Sequence, residues 1–178
     1  MSDAPHTRLL ERREVYRGRI FNLEVDRVTL PTGHTVTLEI VRHPGSVVLL
    51  PIPEPGKVIL IRQYRYTLDR WIWELPAGSL KPGEDPALAA ARECEEEIGL
   101  VPRRVERIRG YYPTPGFCDE EMVYFRCQEL EPPAPDSTAR KDEDEEIEPR
   151  TFTVAEAQAL VASGEIVDLK TVAGLTLI

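Results

Sequence analysis

Residues 78–100 read GSLKPGEDPALAAARECEEEIGL, and this stretch holds both a complete helix signal and an unusual set of acids. Asp85 is a side chain that caps helix N-termini, Pro86 suits a first turn that needs no amide donor, and Gly99 suits the left-handed residue that closes a helix. The signals predict a helix from about Pro86 to Ile98. At 100° per residue from Leu88, the residues Ala87, Leu88, Ala91, Cys94 and Ile98 gather on an apolar arc centred near ~280°. Glu93, Glu96 and Glu97 fall near ~140°, ~80° and ~180° and share the opposite face, at the spacings that bring helix side chains together. Carboxylates this close repel and raise one another's pKa unless a cation neutralises them. Clustered carboxylate oxygens are what hard divalent ions such as Mg²⁺ take. A run of glutamates alone reads as a solvated face, so the residues around it decide the matter.

Upstream, SVVLLPI (46–52) and KVILIRQYRY (57–66) are nearly continuous apolar runs, which predicts strands buried on both faces and joined as a hairpin by Pro53-Glu54-Pro55-Gly56. WIWEL (71–75) leads from them into the acidic segment, with Trp71 and Trp73 on one strand face, in core or interface packing. Further upstream, IFNLEVDRVTL and HTVTLEIV alternate around the turn Pro31-Thr32-Gly33-His34, an antiparallel unit too short to stand alone. His43-Pro44-Gly45 then separates a unit of residues 1–44 from a main domain of residues 45–178. Downstream, residues 105–130 read as two strands around a Pro/Gly loop, and a polar proline-bearing loop precedes the strand EIEPRTFTV. Thr153 and Glu156 form a capping box for a helix over Val154 to Ser163 ended by Gly164, and DLKTVAGLTLI is a candidate last helix.

The chain of 178 residues is long enough for a sizeable core without disulfides or structural metals. A net charge of −9 with no Lys/Arg cluster argues against nucleic acid as a partner. No apolar run approaches the ~20 residues of a membrane span, and the first residues lack a signal-peptide core. Cys94, Cys118 and Cys127 form no C-x-x-C pair, which fits a reducing, cytoplasmic compartment. His6, His34 and His43 have no ligand spacing and suit surface or turn roles.

Gly78, Glu84, Arg92, Glu93, Cys94, Glu96, Glu97, Gly99 and Leu100 stand at the spacing G-x5-E-x7-R-E-U-x-E-E-x-G-U, with U apolar. This resembles the Nudix box of the Nudix hydrolases, with every fixed position filled. The resemblance implies an α/β fold, an α/β/α sandwich with a mixed sheet beside the small N-terminal β unit. It also implies hydrolysis of a nucleoside diphosphate linked to a further group. Carried over position by position, Glu93, Glu96 and Glu97 become ligands of Mg²⁺, with Mn²⁺ as the substitute, and Ala77 contributes its backbone carbonyl. Arg92 and Glu84 become an orienting pair, an arginine fork holding carboxylates in place.

Pro115, fifteen residues beyond Leu100 in Tyr112-Pro113-Thr114-Pro115-Gly116-Phe117, resembles the ADP-ribose pyrophosphatase branch, and the N-terminal β unit and LIRQYRY point the same way. That branch implies a phosphate-binding arginine at Arg65; alternation puts Arg62 on the other strand face. It implies substrate contacts at Glu39 and Arg42, often across a homodimer interface made by the N-terminal unit. It also implies a general base in the acidic loop at Glu143, with Glu145 in reserve. Some members stack adenine on a tryptophan before the glutamate; here Leu38 stands there, leaving Phe21 or Tyr64 as base platforms. Phe117, Glu120 and Glu121 are weaker candidates for substrate or metal contact. The implied reaction is Mg²⁺-dependent cleavage of ADP-ribose or another ADP-sugar to AMP and a sugar phosphate. GDP-mannose or dinucleoside polyphosphate hydrolysis, or a nucleotide-sugar sensor, are the rivals.

Overall fold

The computed structural model describes residues 6–137 and 146–178. It begins with three antiparallel strands in the order β1 (Arg8–Arg17), β2 (Asn22–Thr29) and β3 (Thr35–Arg42). The expected hairpin is β2–β3, turning through Gly33 at φ +86°. β1 is an addition to it. All ten of its residues are exposed, and its register shifts at Leu9/Glu11 and Glu14/Tyr16 break the alternation by which a strand is legible. Asp26, buried on β2, staples the unit by accepting from Arg12 Nε at 2.8 Å and Arg42 Nη2 at 2.8 Å. The hydrogen bond from Arg12, together with Arg42, holds the Asp26 carboxyl below its ordinary value although burial opposes this.

The rest forms two sheets. A mixed sheet takes the order β7 (Ala77–Ser79), β4 (Ser46–Pro51), β9 (Met122–Glu131), β8 (Val101–Tyr111), with β4 and β9 parallel. An antiparallel sheet takes the order β10 (Ile147–Thr153), β5 (Lys57–Arg65), β6 (Arg70–Glu74). β4 and β5 are therefore consecutive strands of different sheets and not the expected hairpin. Both are central, so each has taken partners from distant segments, while Pro51 and the turn ending at Gly56 (φ +78°) carry the chain between sheets. Every residue of β4 is buried, as its apolar run predicts.

Val47, Leu49, Ile59 and Ile61 share one core with Ala90, Cys94 and Ile98 of helix α1 (Pro86–Ile98). Val48, Leu50, Val58 and Leu60 share a second core with Ala157 of α2 (Val154–Ser163) and Leu175 of α3 (Leu169–Leu175). Alternate residues of the same strands thus face opposite helix layers, which makes an α/β/α sandwich. Asp85 accepts from Ala87 N at 2.8 Å and Gly99 closes α1 at φ +70°. The Thr153/Glu156 box is formed and Gly164 ends α2. Gly174 lets α3 settle against the strands, since a Cβ there would lie 2.3 Å from Leu75. Among the described residues no helix is long and apolar enough to cross a membrane.

Candidate active site

β7 and α1 are joined by the loop after Ser79, and the carboxylates of α1 meet the strand at its glycine. A Cβ on Gly78 would lie 2.0 Å from the Glu93 carboxyl, so only glycine admits that side chain. This close approach corrects the expected helix face. Leu88 is 69% exposed, while Glu93 is 9% and Glu97 3% exposed. The helix turns its carboxylates toward β7 and sinks Ala90 and Cys94, not Leu88, into the core.

Arg92 is the hub. Its Nε and Nη2 donate to the two oxygens of Glu84 at 2.8 and 3.0 Å, and its Nη1 donates to Glu93 at 2.7 Å and Glu96 at 2.8 Å. Glu84 also accepts from Lys81 N at 2.9 Å. The bond from Arg92 keeps the Glu84 carboxyl below its ordinary value, and Glu84, followed by its acidic neighbours, pushes the guanidinium pKa further up despite partial burial. Glu97 accepts from Ala77 N at 3.0 Å.

Several of these groups line a cavity of about 1040 Å³. Arg92, Glu93, Glu96, Ala77 and Gly78 line it, and Arg65, Arg42, Arg19 and Lys170 bring positive charge to it. Phe21 and Ile20, in the turn between β1 and β2, supply an apolar rim. Arg62 faces away, stacked 5.4 Å from the Trp71 ring beside a separate hollow of about 250 Å³. Arg42 is held in place by Glu24 at 2.8 Å, Asp26, and Asp119 at 3.0 Å. Backbone bonds from Val41 N to Phe117 O (2.8 Å) and Asp119 N to Val41 O (3.2 Å) fasten the Pro/Gly loop to β3.

The donor set fits a hard divalent cation in chemistry: three carboxylates on one helix face and a backbone carbonyl at Ala77, packed against a glycine. Among the described residues no three acidic, His or Cys side chains stand in a ligand arrangement, because Arg92 draws Glu93 and Glu96 to itself and Glu97 turns to Ala77 N.

Of the residues singled out in the sequence, Phe21, Arg42, Arg65, Ala77, Arg92, Glu93 and Glu96 converge on the cavity, with Glu97 buried behind Ala77. Glu120 also lines it and accepts from Ser46 Oγ at 2.7 Å; His43 lines it while its Nδ1 accepts from Gly45 N at 3.1 Å. Three others are elsewhere. Glu39 is exposed on β3 opposite Val25, and Pro115 is exposed in its turn while Pro113 reaches the cavity. Tyr64 donates to Asp69 at 2.6 Å and packs edge-on against Trp71, away from the cavity. Glu143 and Glu145 lie outside the described residues. Trp73 packs on Phe152 at 4.9 Å, a core role. Sequence reasoning missed Lys170, Asp168 and Lys81 at the cavity and Glu74 behind it. Only Glu74 left a local signal, as an acid within the apolar run WIWEL.

A family model described as the NUDIX domain matches residues 41–173. The chain belongs to the Nudix hydrolase family. Residues 8–41 of this Nudix hydrolase match a second model, the nucleoside diphosphate sugar hydrolase N-terminal domain. An ADP-ribose pyrophosphatase of Bacillus subtilis (strain 168) is 38% identical to it over 91% of this chain and 86% of the relative. A methanol dehydrogenase activator of Bacillus methanolicus is 38% identical over 89% and 85%. A crystal structure of an ADP compounds hydrolase superposes with a TM-score of 0.80 at 22% identity, covering 99% of this chain and 94% of the other, which establishes the shared fold.

Proposed function

We propose that this Nudix hydrolase cleaves the diphosphate of ADP-ribose or a related ADP-sugar to AMP and a sugar phosphate, with Mg²⁺ as its metal. The observation that carries this is one cavity lined both by acids of α1 and by Arg42, Arg65 and Lys170. A diphosphate and a divalent cation complement those two sets of charges. The net charge of −9 does not oppose an anionic substrate, because local cations set the field in a cleft. The name of the Bacillus subtilis relative supports ADP-ribose as the substrate.

Glu93, Glu96, Glu97 and the Ala77 carbonyl are the groups that hold the metal, with Mn²⁺ as the substitute. Bound there, Mg²⁺ supplies charge neutralisation at phosphate oxygens and an acidified water. Arg65 and Arg42 orient the diphosphate, and Phe21 offers a face to the base. Glu143 takes the proton of the attacking water, with Glu145 in reserve. Glu143→Gln is expected to lower kcat by about a hundredfold to ten-thousandfold with KM little changed. Steady-state kinetics of both glutamine variants decides the assignment: a larger loss in Glu145→Gln transfers the role.

Glu39, remote from the cavity of its own chain, reaches a site only in a homodimer. Exposed Leu9, Leu10, Val15 and Tyr16 on β1 support a partner surface there. The cytoplasm is the proposed location and no nucleic acid or membrane the proposed partner. A second reading, another nucleoside diphosphate derivative, draws on Leu38 in place of an aromatic base platform. The deciding experiment follows products from ADP-ribose, ADP-glucose, GDP-mannose and diadenosine polyphosphates, with Mg²⁺ and then EDTA. ADP-ribose is expected to lead and EDTA to stop turnover. Metal-dependent cleavage led by another substrate overturns the specificity, and no turnover of any overturns the proposed activity in favour of a sensor.

A further inference from the structure

Glu74 is 1% exposed, at the end of β6 behind the cavity. A carboxylate so buried is costly unless it is paired and hydrogen-bonded. Its two oxygens accept from Arg65 Nε at 2.6 Å and Nη2 at 2.7 Å, and from Lys170 Nζ. The effect of burial alone is to push the Glu74 carboxyl up, yet Arg65 and Lys170 together hold it below its ordinary value. Arg65 ends β5, and Lys170 belongs to α3 at the far end of the chain. Both line the cavity. They meet at this one side chain, while Lys170 also donates to Asp168 at 2.9 Å. Among the described residues these bonds leave the Nη1 edge of Arg65 and one ammonium proton of Lys170 uncommitted.

We propose that Glu74 is a positioning residue, whose buried carboxylate fixes Arg65 and Lys170 as a paired cation site for the diphosphate of a nucleotide. Arginine and lysine lose much rotamer freedom when a ligand immobilises them, and a site that has already fixed them binds more tightly. Asp168 and Thr171 lock the base of the pair. Asp168 Oδ2 accepts from Thr171 N at 3.0 Å and Oγ1 at 2.6 Å, and Thr171 Oγ1 accepts from Leu75 N at 2.7 Å. The inference rests on the proposed function only in taking a nucleoside diphosphate as the occupant.

The sign of one substitution separates positioning from mere counter-charge. Removing a negative charge beside an anion site strengthens anion binding, unless that charge was holding the binding groups in place. The test is calorimetric binding of ADP to the full chain in EDTA. Arg65→Met is expected to weaken ADP binding about tenfold and Glu74→Gln by a similar factor, with the double variant weaker than Arg65→Met only by the share that Lys170 carries and well short of the product of the two losses. Glu74→Gln binding as tightly as the wild type or more tightly, or losses that multiply in the double variant, overturns the proposal. If Glu74→Gln does not fold, Lys170 carries the test. Lys170→Met is then expected to lose about fivefold in ADP affinity and Lys170→Arg to recover it, and wild-type affinity in Lys170→Met overturns the proposal. ADP lacks the distal sugar of an ADP-sugar and is bound here without turnover, so a panel in which ADP-ribose fails leaves this cycle standing. A wild-type chain that does not bind ADP overturns the inference whatever the panel shows.

Discussion

Glu97→Gln is expected to lower kcat about a thousandfold, some 4 kcal/mol of barrier, while KM moves only a few-fold and the fold stays intact. Glu97 is 3% exposed, with Oε2 accepting from Ala77 N at 3.0 Å. The carbonyl oxygen of glutamine keeps that bond and the volume, so packing between α1 and β7 survives. What the substitution removes is a charge that a hard cation takes and an amide replaces poorly. A loss in kcat at nearly constant KM marks a group acting in the transition state more than in substrate binding. Steady-state kinetics over a range of Mg²⁺, beside thermal melting, checks this. Wild-type kcat in a folded Glu97→Gln chain defeats the assignment of Glu97 to the reaction.

The parts of this site legible in the sequence are those whose causes are local. Asp85, Pro86 and Gly99 specify the ends of α1 within a few residues of themselves, and the structure places the helix at Pro86–Ile98. Thr153 and Glu156 do the same for α2. The rotation of α1 was not legible, because it is decided by the absence of a Cβ at Gly78 on another element. A helical wheel records which residues are apolar, whereas here two buried carboxylates satisfied by Arg92 and Ala77 displaced Leu88 from the interior. β1 escaped notice because a strand with ten exposed residues and two register shifts has no alternation to read. β4 and β5 looked like a hairpin because their shared turn is visible and their true partners, β9 and β10, are far along the chain. The pairing of Glu74 with Lys170 spans 96 residues, and nothing in either local sequence announces it. Arg65 was the reverse case: strand alternation alone separated it from Arg62, and the two line different hollows.

Arg92→Met is expected to destabilise the fold in EDTA by about 2–4 kcal/mol, a fall of roughly 10 °C in Tm. Methionine keeps the aliphatic stem, so the loss is one of charge and hydrogen bonds. Arg92 donates to Glu84, Glu93 and Glu96 at 2.7–3.0 Å, and all four side chains are less than a quarter exposed. Without it, three nearby carboxylates lose their common counter-charge while Glu93 remains packed against Gly78. The pH dependence follows from the same bonds. Arg92 keeps the folded-state pKa of Glu84 below its ordinary 4.5, so that contribution is complete above 4.5 and lost as pH falls through the folded value. In Arg92→Met this loss has nothing to act on and protonation relieves the repulsion, so the deficit against wild type narrows as the solution is acidified. Urea denaturation from pH 3 to 8 reads both slopes, about 3 being the acid limit at which carboxylates protonate. Mg²⁺ is expected to return part of the stability at neutral pH, since a cation that binds only the folded cluster stabilises it by mass action. A variant with wild-type stability in EDTA would mean that water and counterions satisfy the three glutamates unaided. Arg92 would then orient carboxylates already tolerated, and would not be what allows them to be buried together.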